Sequence, residues 1–279
     1  MNIAEWLDRA RTLLTESGCP DPEIDARWMA EDVLSMSWAD LKFESERAVT
    51  GDQLTRLEDC LRRRMSGEPV QYILGRASFM GLDFAVDSRV LIPRQDTETL
   101  VEAALIELRA HPAPEVLDLC AGSGCIGLSL KSLCPACTVT LADMSRDALE
   151  VAKLNAKALD ADVRLRQGDL FEAVGRERFD LIASNPPYIP TADLADLQRE
   201  VRREPRLALD GGADGLEIYR RISRDAGAHL NPGGAIYLEV GLGEAEPVLG
   251  LLRADLACTD SGAIQDLNRV DRVVWARVP

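Results

Sequence analysis

The sequence predicts a doubly wound, mostly parallel α/β sheet, preceded by a small helical bundle and joined to it by a β-hairpin. Three observations carry this. From about residue 115, short apolar runs alternate with segments of helical period, the layout of a parallel sheet covered on both faces. Residues up to about 74 instead show helical stripes only, punctuated by caps and glycines. Between the two, Gly81 precedes the alternating Leu82, Phe84 and Val86, a hairpin signal. The 279 residues divide accordingly into 1–74, a linking hairpin at 75–95, and 96–279.

In the first region, "IAEWLDRARTLLTESG" places Ile3, Trp6, Leu7, Ala10, Leu13 and Leu14 on one helical face, and Gly18 and Pro20 stop it. "DPEIDARWMAEDVL" starts a second helix, with Asp21 as N-cap and Pro22 at the first helical position. "TGDQLTRLEDCLRRRMSG" starts a third. Thr50 and Gln53 fit a capping box, Leu54, Leu57 and Leu61 form the stripe, and Gly67 ends it. After the hairpin, Asp96 caps a helix whose stripe is Leu100, Val101, Ala104, Leu105 and Leu108. The runs "EVLDLC", "TVTLADM", "DVRLRQGDL", "FDLIASN" and "GAIYLEV" read as strands. "CIGLSLKSL", "SRDALEVAKLNAKAL" and "LEIYRRISRDAGAHL" read as the helices among them.

Composition narrows the function classes. No apolar run is long enough to span a bilayer. The start, "MNIAEWLDRARTLL", lacks the basic-then-apolar layout of a secretion signal, so a cytoplasmic protein is expected. A net charge of −15 argues against direct nucleic-acid binding, which usually needs a basic face. The compact basic cluster Arg62, Arg63, Arg64 reads as a solvated helix face. Cys134 and Cys137 have CxxC spacing, but no second ligand pair accompanies them, so no metal is expected and a helix-to-strand loop is the reading.

In a doubly wound sheet, ligands bind beyond the carboxyl ends of the strands. The first such end is "DLCAGSGCIG". Gly122 and Gly124 permit a tight turn and close backbone approach, and Cys120, Ala121 and Ser123 complete the loop. About 20 residues on, Asp143 ends the second strand, where a carboxylate can take ribose hydroxyls. Asp169 and Leu170 follow the third. A dinucleotide is the first competitor, but Asp118 sits where a pyrophosphate would lie, and like charges repel. A ligand with a cationic end and no phosphate suits that position, and S-adenosyl-L-methionine carries a sulfonium and an ammonium.

The fourth strand ends in "SNPPYIP". Two prolines stop it and predict a rigid, non-pairing turn that holds Asn185 and Tyr188 at the tip. "DLCAGSG" with "NPPY" resembles the class I methyltransferases that modify planar nitrogen atoms. Around these lie "VQYILG", "FMGLDF", "LIPRQDTETL", "EPRLALDGGADGLEIYRRI" and "LNPGGAIYLEVG". In this order they resemble, over nearly the whole chain, the release-factor glutamine N5-methyltransferases, the HemK/PrmC family. The resemblance implies a Rossmann-like methyltransferase sheet. It also implies S-adenosyl-L-methionine as methyl donor and the glutamine of the Gly-Gly-Gln motif of peptide-chain release factors as acceptor. The helical region would then engage the factor.

A carboxamide nitrogen is a poor nucleophile, because its lone pair is delocalised into the carbonyl. On this reading the Asn185 side-chain oxygen and the Pro186 carbonyl grip its N–H groups, while Pro187 stiffens the turn and Tyr188 offers a flat face. The chain departs from the family pattern at Gln95-Asp96, usually Pro-Glu, at Glu244, usually Gln, and at Asn268, commonly Gly. The site motif alone admits an adenine-N6 methyltransferase. A sister enzyme acting on a ribosomal-protein glutamine and a non-catalytic cofactor-binding module are the other rivals.

Overall fold

The computed structural model describes residues 1–109 and 111–279. It divides into two compact units. One comprises Met1–Arg76 with Gln198–Arg203, the other Ala77–Leu197 with Glu204–Pro279.

The first unit contains α1 (Ile3–Glu16), α2 (Pro22–Leu34), α3 (Trp38–Phe43), α4 (Gly51–Met65) and α5 (Val70–Leu74). Capping boxes start three of them: Asn2 with Glu5, Ser37 with Asp40, and Thr50 with Gln53. Each satisfies two otherwise orphaned N–H groups at a helix start. Asp21 stands at the N-cap of α2 without a side-chain cap bond, so Pro22 alone marks that start. Trp6, Leu14, Met29, Leu41, Leu57 and Leu61 close a shared core.

The arginine run corrects the expectation of a solvated face. The Arg62 side chain is 75% exposed, but that of Arg64 is only 3% exposed. Arg64 Nε donates to Asp25 Oδ2 at 2.5 Å and Nη1 to Glu200 Oε1 at 2.8 Å. Cys19 Sγ also donates to Asp25 Oδ2. Successive helical residues lie about 100° apart, so three neighbouring arginines cannot share one face.

A two-stranded hairpin follows, β1 (Arg76–Phe79) and β2 (Leu82–Ala85), which belongs to the second unit from Ala77 onward. Met80 and Gly81 at its turn both have positive φ, 51° and 73°, which suits a two-residue hairpin loop. A short 3-10 turn, Gln95–Thr97, leads into α6 (Glu98–Leu108). Asp96 lies in that turn and pairs with Arg272 at 3.1 Å instead of capping the helix as the sequence suggests.

The alternating part follows as β3 (Glu115–Leu119), α7 (Cys125–Leu133), β4 (Thr138–Asp143), α8 (Arg146–Ala158), β5 (Val163–Gln167) and β6 (Phe179–Ser184). It continues as α9 (Glu217–His229), β7 (Leu230–Glu239), α10 (Ala245–Asp255), β8 (Asp260–Gln265) and β9 (Asp271–Arg277). The sheet order is β5-β4-β3-β6-β7-β9-β8. The first five strands are parallel, and β9 runs antiparallel to both β7 and β8. One face packs against α6, α7 and α8 through Leu100, Ile126 and Ala152. The other packs against α9 and α10 through Tyr219, Ile222 and Val248. The predicted class is therefore found, with α10 and the antiparallel pair β8–β9 added at the C-terminal end. Cys134 and Cys137 lie in the turn between α7 and β4.

Candidate active site

The site follows from strand order. β3 is flanked by β4 on one side and β6 on the other, so the chain changes direction there, and the strand ends part to leave a crevice. Leu119 at the end of β3 lies opposite Ser184 at the end of β6. The glycine loop and "NPPY" therefore leave the sheet side by side.

A cleft with about 1100 Å³ of empty space, open to solvent, occupies this place. Its walls include Cys120, Ala121, Gly122 and Ser123 after β3, Asp143 after β4, and Asp169 and Leu170 after β5. Asn185 and Pro187 after β6 join them. Asp118, Gly124, Pro186 and Tyr188 are not among the wall residues.

Asp118 does not face the cleft as the sequence reading had it. It is wholly buried, and its Oδ2 accepts the Gly127 N–H at 2.8 Å. Burial pushes its carboxyl up to about 7. Side chains alternate across a strand, so a residue one step before the strand end projects away from the loop that follows. Asp118 thus braces the first turn of α7. Gly124, at φ +79°, forms the N-cap of that helix. Leu128 and Leu141 stand 3.0 and 3.1 Å from where a Cβ would lie, so only glycine fits comfortably.

Asp143 holds the loop from the other side. Its Oδ2 accepts the Gly122 N–H and its Oδ1 the Ser145 N–H, both at 2.8 Å. Burial raises this carboxyl above its ordinary value, against the pull of the backbone N–H groups. Each oxygen retains capacity for a further donor such as a ribose hydroxyl. Asp169 accepts from Arg221 Nη2 at 2.8 Å. Burial pushes the Cys120 and Cys125 thiols up to about 12, so neither is a thiolate at neutral pH.

At the tip of β6, Asn185 Nδ2 donates to Thr97 Oγ1 at 3.2 Å. This turns the amide so that Oδ1 is an acceptor with no partner among the described residues. Pro186 is buried beside it. The turn is not wholly unpaired, because Ile189 N–H donates to Leu209 O and Ile189 O accepts from Gly211 N–H. A Cβ on Gly211 would come within 2.7 Å of Tyr188 Cα, so glycine is required there. The Tyr188 ring packs beside Gly241, and burial raises its phenol well above the ordinary value, keeping it neutral.

Several site residues carry no local signal in the sequence. Thr97 and Arg94 reach the cleft from the segment before α6, and Pro205 and Leu207 from the segment before α9. Glu204 ties these segments together, accepting the Ile92 N–H at 3.0 Å and pairing with Arg94. Asn155 of α8 pins the glycine loop by donating to Ser123 O at 2.9 Å. The family-motif departures also find places. Glu244 Oε2 accepts the Gly241 N–H at 2.9 Å. In the β8–β9 turn the left-handed residue is Arg269, at φ 62°, so Asn268 does not occupy a glycine-demanding position.

The donor set discriminates among nucleotide-like ligands. A phosphate at this helix start would need free backbone N–H groups. Here the Gly122 and Gly127 N–H groups are taken by Asp143 and Asp118. The walls also carry Asp143, Asp169 and Asp210, and their three arginines, Arg89, Arg94 and Arg221, are each paired with a carboxylate, that of Asp87, Glu204 and Asp169. Such a cleft fits a phosphate-free nucleoside with a cationic end, and S-adenosyl-L-methionine matches it. Fold and cleft together define an S-adenosylmethionine-dependent methyltransferase.

Comparison with known proteins agrees and is finer. Residues 5–75 match the family described as PrmC N-terminal domain, and residues 96–202 the methyltransferase small domain. A release factor glutamine methyltransferase of Geobacter sulfurreducens is 45% identical, covering 99% of this chain and 96% of that relative. One of Bordetella pertussis is 42% identical, covering 94% and 97%. The chain belongs to the release factor glutamine methyltransferase family. Among solved structures, a Pyrococcus furiosus methyltransferase superposes with a TM-score of 0.52 at 17% identity, covering 82% of this chain and 98% of that one. The hMettl16 catalytic domain gives 0.56 at 15% identity, covering 82% and 85%. These two share the fold.

A loss of cofactor affinity should follow from Asp143→Ala. The removed carboxylate would hold the ribose, and charge-assisted hydrogen bonds contribute about 1.5–3 kcal/mol each. Calorimetry should show weakening on that scale, and unchanged affinity would refute the role.

Proposed function

We propose that this chain methylates the side-chain amide nitrogen of the glutamine in the Gly-Gly-Gln motif of peptide-chain release factors. Family membership over nearly the full length supports the substrate, and the orientation of Asn185 supports the reaction. Bound S-adenosyl-L-methionine supplies a methyl carbon on a sulfonium, a leaving group that departs neutral. Residues 120–123, Asp143, Asp169 and Leu170 would hold it.

The chain's own contribution is orientation. Asn185 Oδ1 accepts one substrate N–H and the Pro186 carbonyl accepts the other, which aims the nitrogen lone pair at the methyl group. Tyr188 flanks the amide plane. As nitrogen becomes cationic, both acceptors bind it more strongly, so they favour the transition state over the ground state. No shifted base is needed for attack, because the strongly acidic N-methylated amide cation gives its proton to water only after the new N–C bond has formed.

Mass spectrometry of release factor incubated with the protein and S-adenosyl-L-methionine tests this. One added methyl on the Gly-Gly-Gln glutamine is the expected result. Methyl transfer instead to a ribosomal protein or to nucleic acid would overturn it.

The helical unit is assigned to docking the release factor in the cytoplasm, since every wall residue of the cleft lies in the second unit. A chain beginning at Gly75 should bind cofactor with unchanged affinity and methylate release factor poorly. Gln198–Arg203 belongs to the helical unit and would lose its partners, so the truncated fold is checked first by circular dichroism. Full-rate methylation by the folded truncation would remove the docking role.

A further inference from the structure

The β1–β2 hairpin has no described residue among the walls of the cleft, yet its end is tied to the loop that forms them. Asn155 of α8 makes the tie. It is 1% exposed and is not itself a wall residue. Its Oδ1 accepts the Ala85 N–H at 2.7 Å, and its Nδ2 donates to the Ala85 carbonyl at 3.1 Å. The side-chain amide thus pairs with the last residue of β2 much as a neighbouring strand would. The second Nδ2 proton goes to the Ser123 carbonyl at 2.9 Å, so both donors of this amide are engaged.

The glycine loop needs such ties. Cys120, Gly122 and Gly124 have positive φ, 61°, 56° and 79°, and Cys120 carries a Cβ. Sparsely populated backbone conformations persist only where the surroundings over-determine them. Asp143 holds the Gly122 N–H from β4, and Asn155 holds the Ser123 carbonyl from α8. The Gly124 N–H, at the other end of the Ser123–Gly124 peptide, donates to Ala121 O at 2.7 Å. That peptide is fixed at both ends, and the walls Ala121, Gly122 and Ser123 are fixed with it. A few residues beyond Ala85 the chain forms another stretch of wall, Arg89, Val90 and Leu91. Asn155 therefore ties the glycine loop to the residue that leads into the opposite wall segment.

We propose that Asn155 is a positioning residue for S-adenosyl-L-methionine, which locks the glycine loop to the end of the hairpin and so shapes the cleft before the cofactor arrives. The proposal rests on the assignment of the cleft to this cofactor and not on the choice of methyl acceptor. Ser123 is 2% exposed, so without Asn155 its carbonyl loses its partner where water has little access. The untied loop then spends part of its time in other arrangements, and the apparent affinity falls by the fraction of time it is competent. Bound cofactor itself holds the loop in place, so turnover at saturation is spared. The hairpin, on this account, is part of the cofactor clamp and not only a linker.

The test uses the full chain with Asn155→Ala, Asn155→Asp and Ala85→Pro. Asn155→Asp keeps the size of the side chain but removes both donors and sets a carboxylate against two carbonyl oxygens. Ala85→Pro removes only the N–H given to Oδ1, and Ala85 is exposed, so the added ring meets solvent. Calorimetry should show S-adenosyl-L-methionine binding weakened roughly 10-fold by Asn155→Ala, more by Asn155→Asp, and roughly 3-fold by Ala85→Pro. In methylation of release factor, KM for the cofactor should rise in step while kcat stays near that of the wild type. Without cofactor, amide exchange at Gly124 should speed up more in Asn155→Ala than exchange at Leu117 of β3, whose change reports global stability. Saturating cofactor should restore the Gly124 rate. Wild-type affinity in Asn155→Ala, or equal acceleration at the two amides, overturns the role of Asn155. Where the Asn155 variants fail to fold, unchanged affinity in Ala85→Pro overturns it. A wild type that does not bind S-adenosyl-L-methionine overturns instead the reading of the cleft.

Discussion

Asn185→Ala should lower kcat for methyl transfer by about 10²–10³, the cost of removing one preorganised hydrogen-bonding group at a reacting centre. Affinity for S-adenosyl-L-methionine should fall much less, because residues 120–123, Asp143 and Asp169 remain as walls. The prolines that shape the turn are untouched, so the loss reports the side chain. Asn185→Asp is the sharper comparison. It keeps an acceptor oxygen facing the substrate but removes the NH₂ group that donates to Thr97. Single-turnover rates should therefore rank wild type above Asp and Asp above Ala. A rate for Asp no better than that for Ala would show that Asn185 acts through its NH₂ group, as a donor.

The cleft was readable in sequence where its residues sit on strand ends. "DLCAGSG", Asp143 and "NPPY" each lie at the end of an apolar run, Asp169 follows the alternating "DVRLRQ", and a parallel sheet brings such positions to one edge. Thr97 is not readable in this way. Its meeting with Asn185 depends on the turn before α6 packing beside the end of β6, a contact across 88 residues that no periodicity encodes. Asp118 was misplaced because its neighbour in sequence, the glycine loop, faces the cleft while its own side chain projects from the strand towards α7. The last strands were missed for another reason. β8, "DSGAIQ", is an edge strand with no residue fully buried, so its apolar pattern is weak. Arg64 fails the simplest rule of all, since a run of three arginines conceals one that points inward.

Arg64 accordingly carries the largest expected stability effect. Arg64→Met should destabilise the helical unit by about 3–5 kcal/mol, because it leaves the Asp25 carboxylate buried without its cation. Asp25 is 5% exposed and, among the described residues, keeps only the weak Cys19 thiol as a side-chain donor. Glu200 suffers less, since Arg199 Nε stands 3.2 Å from its Oε1. Arg62→Ala, two positions away on the exposed face, should stay within about 0.5 kcal/mol of wild type. Combining Arg64→Met with Asp25→Leu should recover a large part of the loss. A buried ion pair replaced by apolar groups is often nearly neutral, whereas half a pair is not. Denaturant unfolding followed by tryptophan fluorescence in a Trp275→Phe background reads this unit directly, since the remaining Trp6, Trp28 and Trp38 lie in or against its core. Equal unfolding midpoints for Arg64→Met and Arg62→Ala would mean that the Arg64–Asp25 contact contributes nothing in solution.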